Sequence, residues 1–68
     1  MNVYQLVAKA LNCDMDALSE SSQFGITPEW DSLGHINVMV LLNKQCNVDI
    51  NEETIGKYNS IREITKIM

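Results

Sequence analysis

The stretch DSLGHINVMVLLNKQC, residues 31–46, decides how this chain is read. Asp31 has the short acidic side chain of an N-cap, and from Leu33 to Cys46 the apolar pattern runs on at helical spacing. The segment therefore predicts the longest helix of the protein. Val38, Met39, Leu42 and Cys46 form one stripe on it, expected to face a core. Leu33 and Val40 fall on a different face together with the polar residues Asn37 and Lys44. Single exposed apolar residues are ordinary; beside a helix start, this pair also reads as a docking surface. Asn47 and Val48 close the helix.

Working outward, Val3, Leu6, Val7, Ala10 and Leu11 recur at the spacing of one helical face, with Gln5 and Lys9 left for solvent. Asn2 is a suitable N-cap and Asn12 a suitable stop, which places helix one at Asn2 to Leu11. Asn12 to Asp31 is a long polar connection containing Ser19, Ser21, Ser22, Gly25 and Pro28. A structureless loop of that length is unusual in a small domain. A single helical turn at Asp14 to Leu18 is expected, with Met15 and Leu18 turned inward and Phe24 and Ile26 pinning the rest. Pro28 disfavours helix at Thr27. After the longest helix, Asn51 can cap a short third helix through Gly56, with Glu52 and Glu53 at the positive end of its dipole. Ser60 and Glu63 fit a capping box, and Ile61, Ile64, Ile67 and Met68 predict a fourth helix running to Met68.

No strand alternation, repeat or low-complexity tract interrupts this pattern. The expected fold class is all-α, a small four-helix bundle with a long loop between helices one and two, forming a single domain over residues 1–68. A chain of 68 residues buries only about 60% of its unfolded surface and cannot wall a deep cleft between subdomains. A carrier, substrate or adaptor role fits that size better than an enzyme. Nine acidic against five basic residues, a formal net charge of −4, argue against a nucleic-acid partner and suit steering toward basic protein surfaces. Cys13 and Cys46 are in neither a C-x-x-C pair nor a Cys/His cluster, so no metal site is expected and a reducing, cytoplasmic setting is favoured. The longest unbroken apolar stretch is Val38 to Leu42, too short to span a membrane, and residues 1–20 lack the pattern of a signal peptide.

Ser32 stands at the first position of the longest helix, just inside its Asp31 cap. Backbone amides point outward there and the dipole is positive, so a phosphate ester on this hydroxyl would be electrostatically favourable. Taken alone, Asp31 and Ser32 are also what an ordinary capped helix start contains.

The segment Trp30-Asp31-Ser32-Leu33-Gly34-His35-Ile36 resembles the attachment motif of acyl carrier proteins, in which the serine of Asp-Ser-Leu opens the second helix and bears 4′-phosphopantetheine. The resemblance extends over essentially the whole chain. Helix one, the long loop with Phe24, the motif helix, Val48-Asp49-Ile50, the acidic Asn51-Glu52-Glu53 and a capped last helix occur in the family's order. The resemblance implies a bundle of acyl-carrier type, with Ser32 as the attachment residue and Asp31 positioning the transferase and its metal ion. It further implies Leu33, Ile36, Asn37 and Val40 as partner-binding residues, and inward residues of the second helix lining a space for cargo. The implied partners are a phosphopantetheinyl transferase, an acyl-loading ligase or acyltransferase, and downstream pathway enzymes. The chain itself would be a monomer without catalytic activity, bound to neither nucleic acid nor membrane. In two respects the chain departs from fatty-acid carriers: Glu29-Trp30 precedes Asp31 where Leu-Gly is frequent, and Lys44 is the only formal charge between Gly34 and Cys46. The neutral helix points to a dedicated biosynthetic pathway.

Two other function classes fit parts of the sequence. An aminoacyl or peptidyl carrier would use the same serine, and a helical interaction module would use Leu33 and Val40 without any cofactor. Ser32 and His35, three apart on a helix, are within reach of each other. Without a G-x-S-x-G elbow or a cleft they do not make a hydrolase, and His35 is expected at the surface. Asp14-Met15-Asp16 lacks the ligands and the glycine of a calcium loop.

Overall fold

The computed structural model describes residues 2–68, and these fold into four α-helices and one 3-10 turn. The helices are α1 (Val3–Leu11), α2 (Ser32–Cys46), α3 (Glu52–Lys57) and α4 (Ile61–Thr65), and the turn is Met15–Ala17. The fold class is all-α: among the described residues no strand forms, and Gln23 and Ser60 make an isolated antiparallel bridge.

Side-chain caps set the helix boundaries. Asn2 accepts a hydrogen bond from the Gln5 amide at 2.8 Å, and the Gln5 side chain accepts from the Asn2 amide at 2.9 Å. This reciprocal box satisfies two donors that the first turn would otherwise leave free. Asn12 ends α1 and Asn47 ends α2, both in the left-handed region with φ of 55° and 58°, where asparagine is the best tolerated residue after glycine. Asn51 and Thr54 make a second reciprocal box at α3. At α4 only half of the expected box exists. Ser60 accepts from the Glu63 amide at 3.2 Å, but the Glu63 carboxylate turns to Lys66, whose Nζ donates to it at 2.6 Å and holds the carboxyl below its usual range.

α1 packs against both α2 and α4. Leu6, Val7, Val38, Met39, Leu42, Ile61 and Ile64 fill the space between them. The stripe expected on α2 is therefore the one that is buried, with Cys46 half-buried at its end. α1 and α2 approach closely where α2 begins. A Cβ on Gly34 would come within 2.6 Å of Leu11 Cδ2 and 3.2 Å of Asp31 Oδ1, so the missing side chain is what lets this corner close.

The connection between α1 and α2 is anchored differently from the expectation. Met15, expected to turn inward, and Phe24 and Ile26, expected to pin the connection, are exposed, Ile26 to 72%; Leu18 is buried as expected, and Trp30 is buried to 1% exposure. Backbone bonds hold the rest. The Phe24 amide donates to Asn59 O at 2.8 Å and the Ile61 amide to Ser22 O at 3.0 Å, so the middle of the connection is stitched to the start of α4. Ser22 is buried, and its hydroxyl accepts from the Ser19 amide at 2.9 Å. With the backbone satisfied by these partners, the loop needs fewer apolar anchors. Helix α4 also ends earlier than its apolar spacing predicts, at Thr65, leaving Ile67 and Met68 exposed.

Candidate functional site

The first turn of α2 is built by Asp31. Its backbone is extended, and its carboxylate accepts from the Gly34 amide at 2.8 Å, while its carbonyl takes the first intrahelical bond from the His35 amide at 2.8 Å. The Ser32 and Leu33 amides lie at the same end and have no intrahelical partner by position. Ser32 is exposed, at the positive end of a fifteen-residue helix. It stands one turn before Ile36 on the same side of the helix.

The other residues singled out from the sequence fall around this point. Leu33 and Ile36 are 69% and 59% exposed, and Val40 is also exposed. Ile36 and Val40, with Met39 and His35 from the same helix and Ile50 and Ile55 from around α3, line an apolar groove of about 70 Å³. Asn37 faces the other way: its Nδ2 donates to Ala10 O at 3.3 Å, so its side chain is engaged with the last turn of α1. The structure thus sets Ile36 and Val40 along the groove beside α3, with Ser32 one turn before Ile36, leaves Leu33 exposed outside the groove lining, and engages Asn37 with α1, where Val40 also borders it.

His35 is not at the surface, as the sequence suggested, but 4% exposed. Trp30 Nε1 donates to its Nδ1 at 3.0 Å, and its Nε2 lies 2.8 Å from Ile55 O. An indole N–H can only donate and a carbonyl can only accept, so Nδ1 carries no proton and Nε2 carries one. Phe24, whose side chain is otherwise exposed, stacks on the imidazole with centroids 4.9 Å apart. Both ring nitrogens are therefore committed away from Ser32, and the pair is not arranged as a nucleophile and its base. A sequence signal for this burial existed. Trp30 precedes the cap and His35 is the fourth residue after it, the positions that pack together in a hydrophobic staple.

Elsewhere, Cys13 and Cys46 are free thiols. Burial, with Glu29 and Asp14 nearby, pushes the Cys13 thiol up, which disfavours its reactive thiolate. Among the described residues no three His, Cys, Asp or Glu side chains cluster as a metal site, and no helix is long and apolar enough to cross a membrane. No protein-family model, curated protein or solved structure matches this chain.

Proposed function

We propose that the protein is an acyl carrier, with 4′-phosphopantetheine attached to Ser32 and its four helices forming a bundle of acyl-carrier type. The observation that carries the reading is an exposed Ser32 hydroxyl on the first turn of α2, one turn from the apolar groove. The residues fit the group. The Ser32 and Leu33 amides and the helix dipole favour a phosphodiester there, and the Asp31 carboxylate, occupied by the Gly34 amide, is held as a cap.

Ser32 is the acceptor in this reading and the chemistry belongs to the partner enzyme. A phosphopantetheinyl transferase would join Ser32 Oγ to the pantetheine-bearing phosphorus of coenzyme A as the bond from that phosphorus to the adenosine-bearing phosphate breaks. Adenosine bisphosphate leaves, and the hydroxyl proton passes to a base of the transferase. When bound, the group supplies a terminal thiol that holds the acyl cargo as a thioester. Leu33, Ile36 and Val40 present an uncharged docking face, and the scarcity of charge on α2 favours partners of a dedicated pathway over general fatty-acid synthesis. Efficient acyl transfer to the loaded protein by general fatty-acid synthase enzymes would contradict that part of the reading.

Two substitutions separate recognition from folding. Leu33→Asp is expected to slow transferase-catalysed loading substantially while changing stability by less than about 0.5 kcal/mol, because Leu33 is 69% exposed. A large fall in the melting temperature would make Leu33 a packing residue instead. Asp31→Asn preserves the cap, since asparagine caps as well as aspartate, whereas Asp31→Ala costs about 1 kcal/mol. If the charge of Asp31 serves the transferase, loading falls in both variants and stability falls in the alanine variant alone; unchanged loading of Asp31→Asn would reduce Asp31 to a cap.

The exposed apolar residues beside α3 also suit a helical interaction module without a cofactor. Ser32 discriminates the two: a module of that kind keeps its partner when Ser32 is replaced. An aminoacyl or peptidyl carrier shares the attachment chemistry and differs in the enzyme that loads it.

A further inference from the structure

Helix α3 is held with little hydrophobic burial, since none of its six residues is buried. Its start is secured locally by the Asn51–Thr54 box and by the Thr54 hydroxyl, which donates to Asp49 O at 2.6 Å. Near its end the Tyr58 amide closes on Thr54 O at 3.0 Å, leaving the next carbonyl, that of Ile55, to a partner outside the helix. That partner is His35 Nε2 at 2.8 Å. The same imidazole accepts from Trp30, which immediately precedes the Asp31 cap and is buried to 1% exposure. One side chain therefore joins the start of α2 to the end of α3. Ile55, whose carbonyl is held, also lines the apolar groove.

We propose that His35 is a positioning residue that latches α3 over the groove, its ring fixed by Trp30 and its Nε2–H bonded to the Ile55 carbonyl. Ile36, Met39 and Val40 of α2 line this groove of about 70 Å³ together with Ile50 and Ile55, so the position of α3 sets its width. Releasing the latch frees α3 while α1, α2 and α4 keep their shared core. This inference stands on the contacts of His35 and does not depend on Ser32 carrying a cofactor.

Two measurements on the full chain test it. The first is the tautomer of His35, read from long-range proton–nitrogen correlations on the ¹⁵N-labelled protein. The expected signature is a protonated Nε2 with an unprotonated Nδ1; the opposite tautomer would overturn the latch whatever the variants do. The second is amide hydrogen exchange in His35→Phe and His35→Gln. Phenylalanine keeps the ring and its stacking on Phe24 but has no donor. Glutamine carries its amide nitrogen as many bonds from Cα as Nε2 and can still donate. In His35→Phe the Ile55 and Tyr58 amides are expected to exchange about tenfold faster relative to the Val38 to Leu42 amides, and in His35→Gln by less than about threefold. Equal acceleration of both segments in His35→Phe would show that His35 is only a packing residue. Unchanged exchange in α3 would show that the bond does not hold it. Either result overturns the proposal.

Discussion

Trp30→Ala is expected to leave the protein largely unfolded at room temperature. Trp30 is the largest fully buried side chain and stands where the long connection meets α2. Truncating a buried tryptophan costs about 3–5 kcal/mol through lost transfer energy and the cavity left behind. A core of this size rarely supplies more than about 3–5 kcal/mol of net stability, so the loss is comparable with the whole. The substitution also strips His35 Nδ1 of its donor within a buried site. Trp30→Phe isolates that second effect, since the ring volume is mostly kept, and is expected to cost about 1–3 kcal/mol. Helical circular dichroism followed through a urea titration checks both. A cooperative transition for Trp30→Ala close to that of the parent protein would mean that the connection is anchored by its backbone bonds to Asn59 and Ile61 rather than by the indole.

Ser32→Ala is expected to have the opposite profile, with complete loss of phosphopantetheine loading and an intact fold. Ser32 is exposed at the first position of α2, where the cap is supplied by Asp31 and alanine is the residue best suited to a helix. Its melting temperature should therefore stay within the range of ordinary surface substitutions, about 0.5 kcal/mol in stability. The contrast between the two variants separates the residue that organises the start of α2 from the residue that this start presents. Phosphopantetheine found on the Ser32→Ala protein would place the attachment elsewhere and remove the basis for the carrier reading.

How much of this could be read from the sequence follows from which interactions are local. Helix starts were legible because Asn2, Asp31, Asn51 and Ser60 cap through bonds only three residues long. The buried stripes of α1 and α2 were legible because their period is that of the helix. The anchoring of residues 12–31 was not, because a connection without periodicity gives no rule for which apolar residue turns inward. The expected anchors were Phe24 and Ile26, not Trp30, and the bonds that orient this segment run to Asn59 and Ile61, more than thirty residues away. The end of α4 was misjudged because Ile67 and Met68 continue the spacing, although the chain leaves the helix at Thr65. Around the candidate site, the position of Ser32 and the exposure of Leu33 and Val40 were legible from the cap and the helical period. The burial of His35 depends on a partner twenty residues on, the Ile55 carbonyl, and on Trp30, whose staple position was the one available sign.

The most direct test of the central claim is to incubate the purified protein with coenzyme A and a promiscuous phosphopantetheinyl transferase and record an intact-protein mass spectrum. The carrier reading predicts the addition of a single phosphopantetheine, mapped to the peptide containing Ser32 and lost in Ser32→Ala. Failure of the folded protein to gain that mass, with the same transferase loading a control carrier and with further transferases of different specificity also inactive, would contradict it and leave the exposed face beside α3 as the surface of an interaction module.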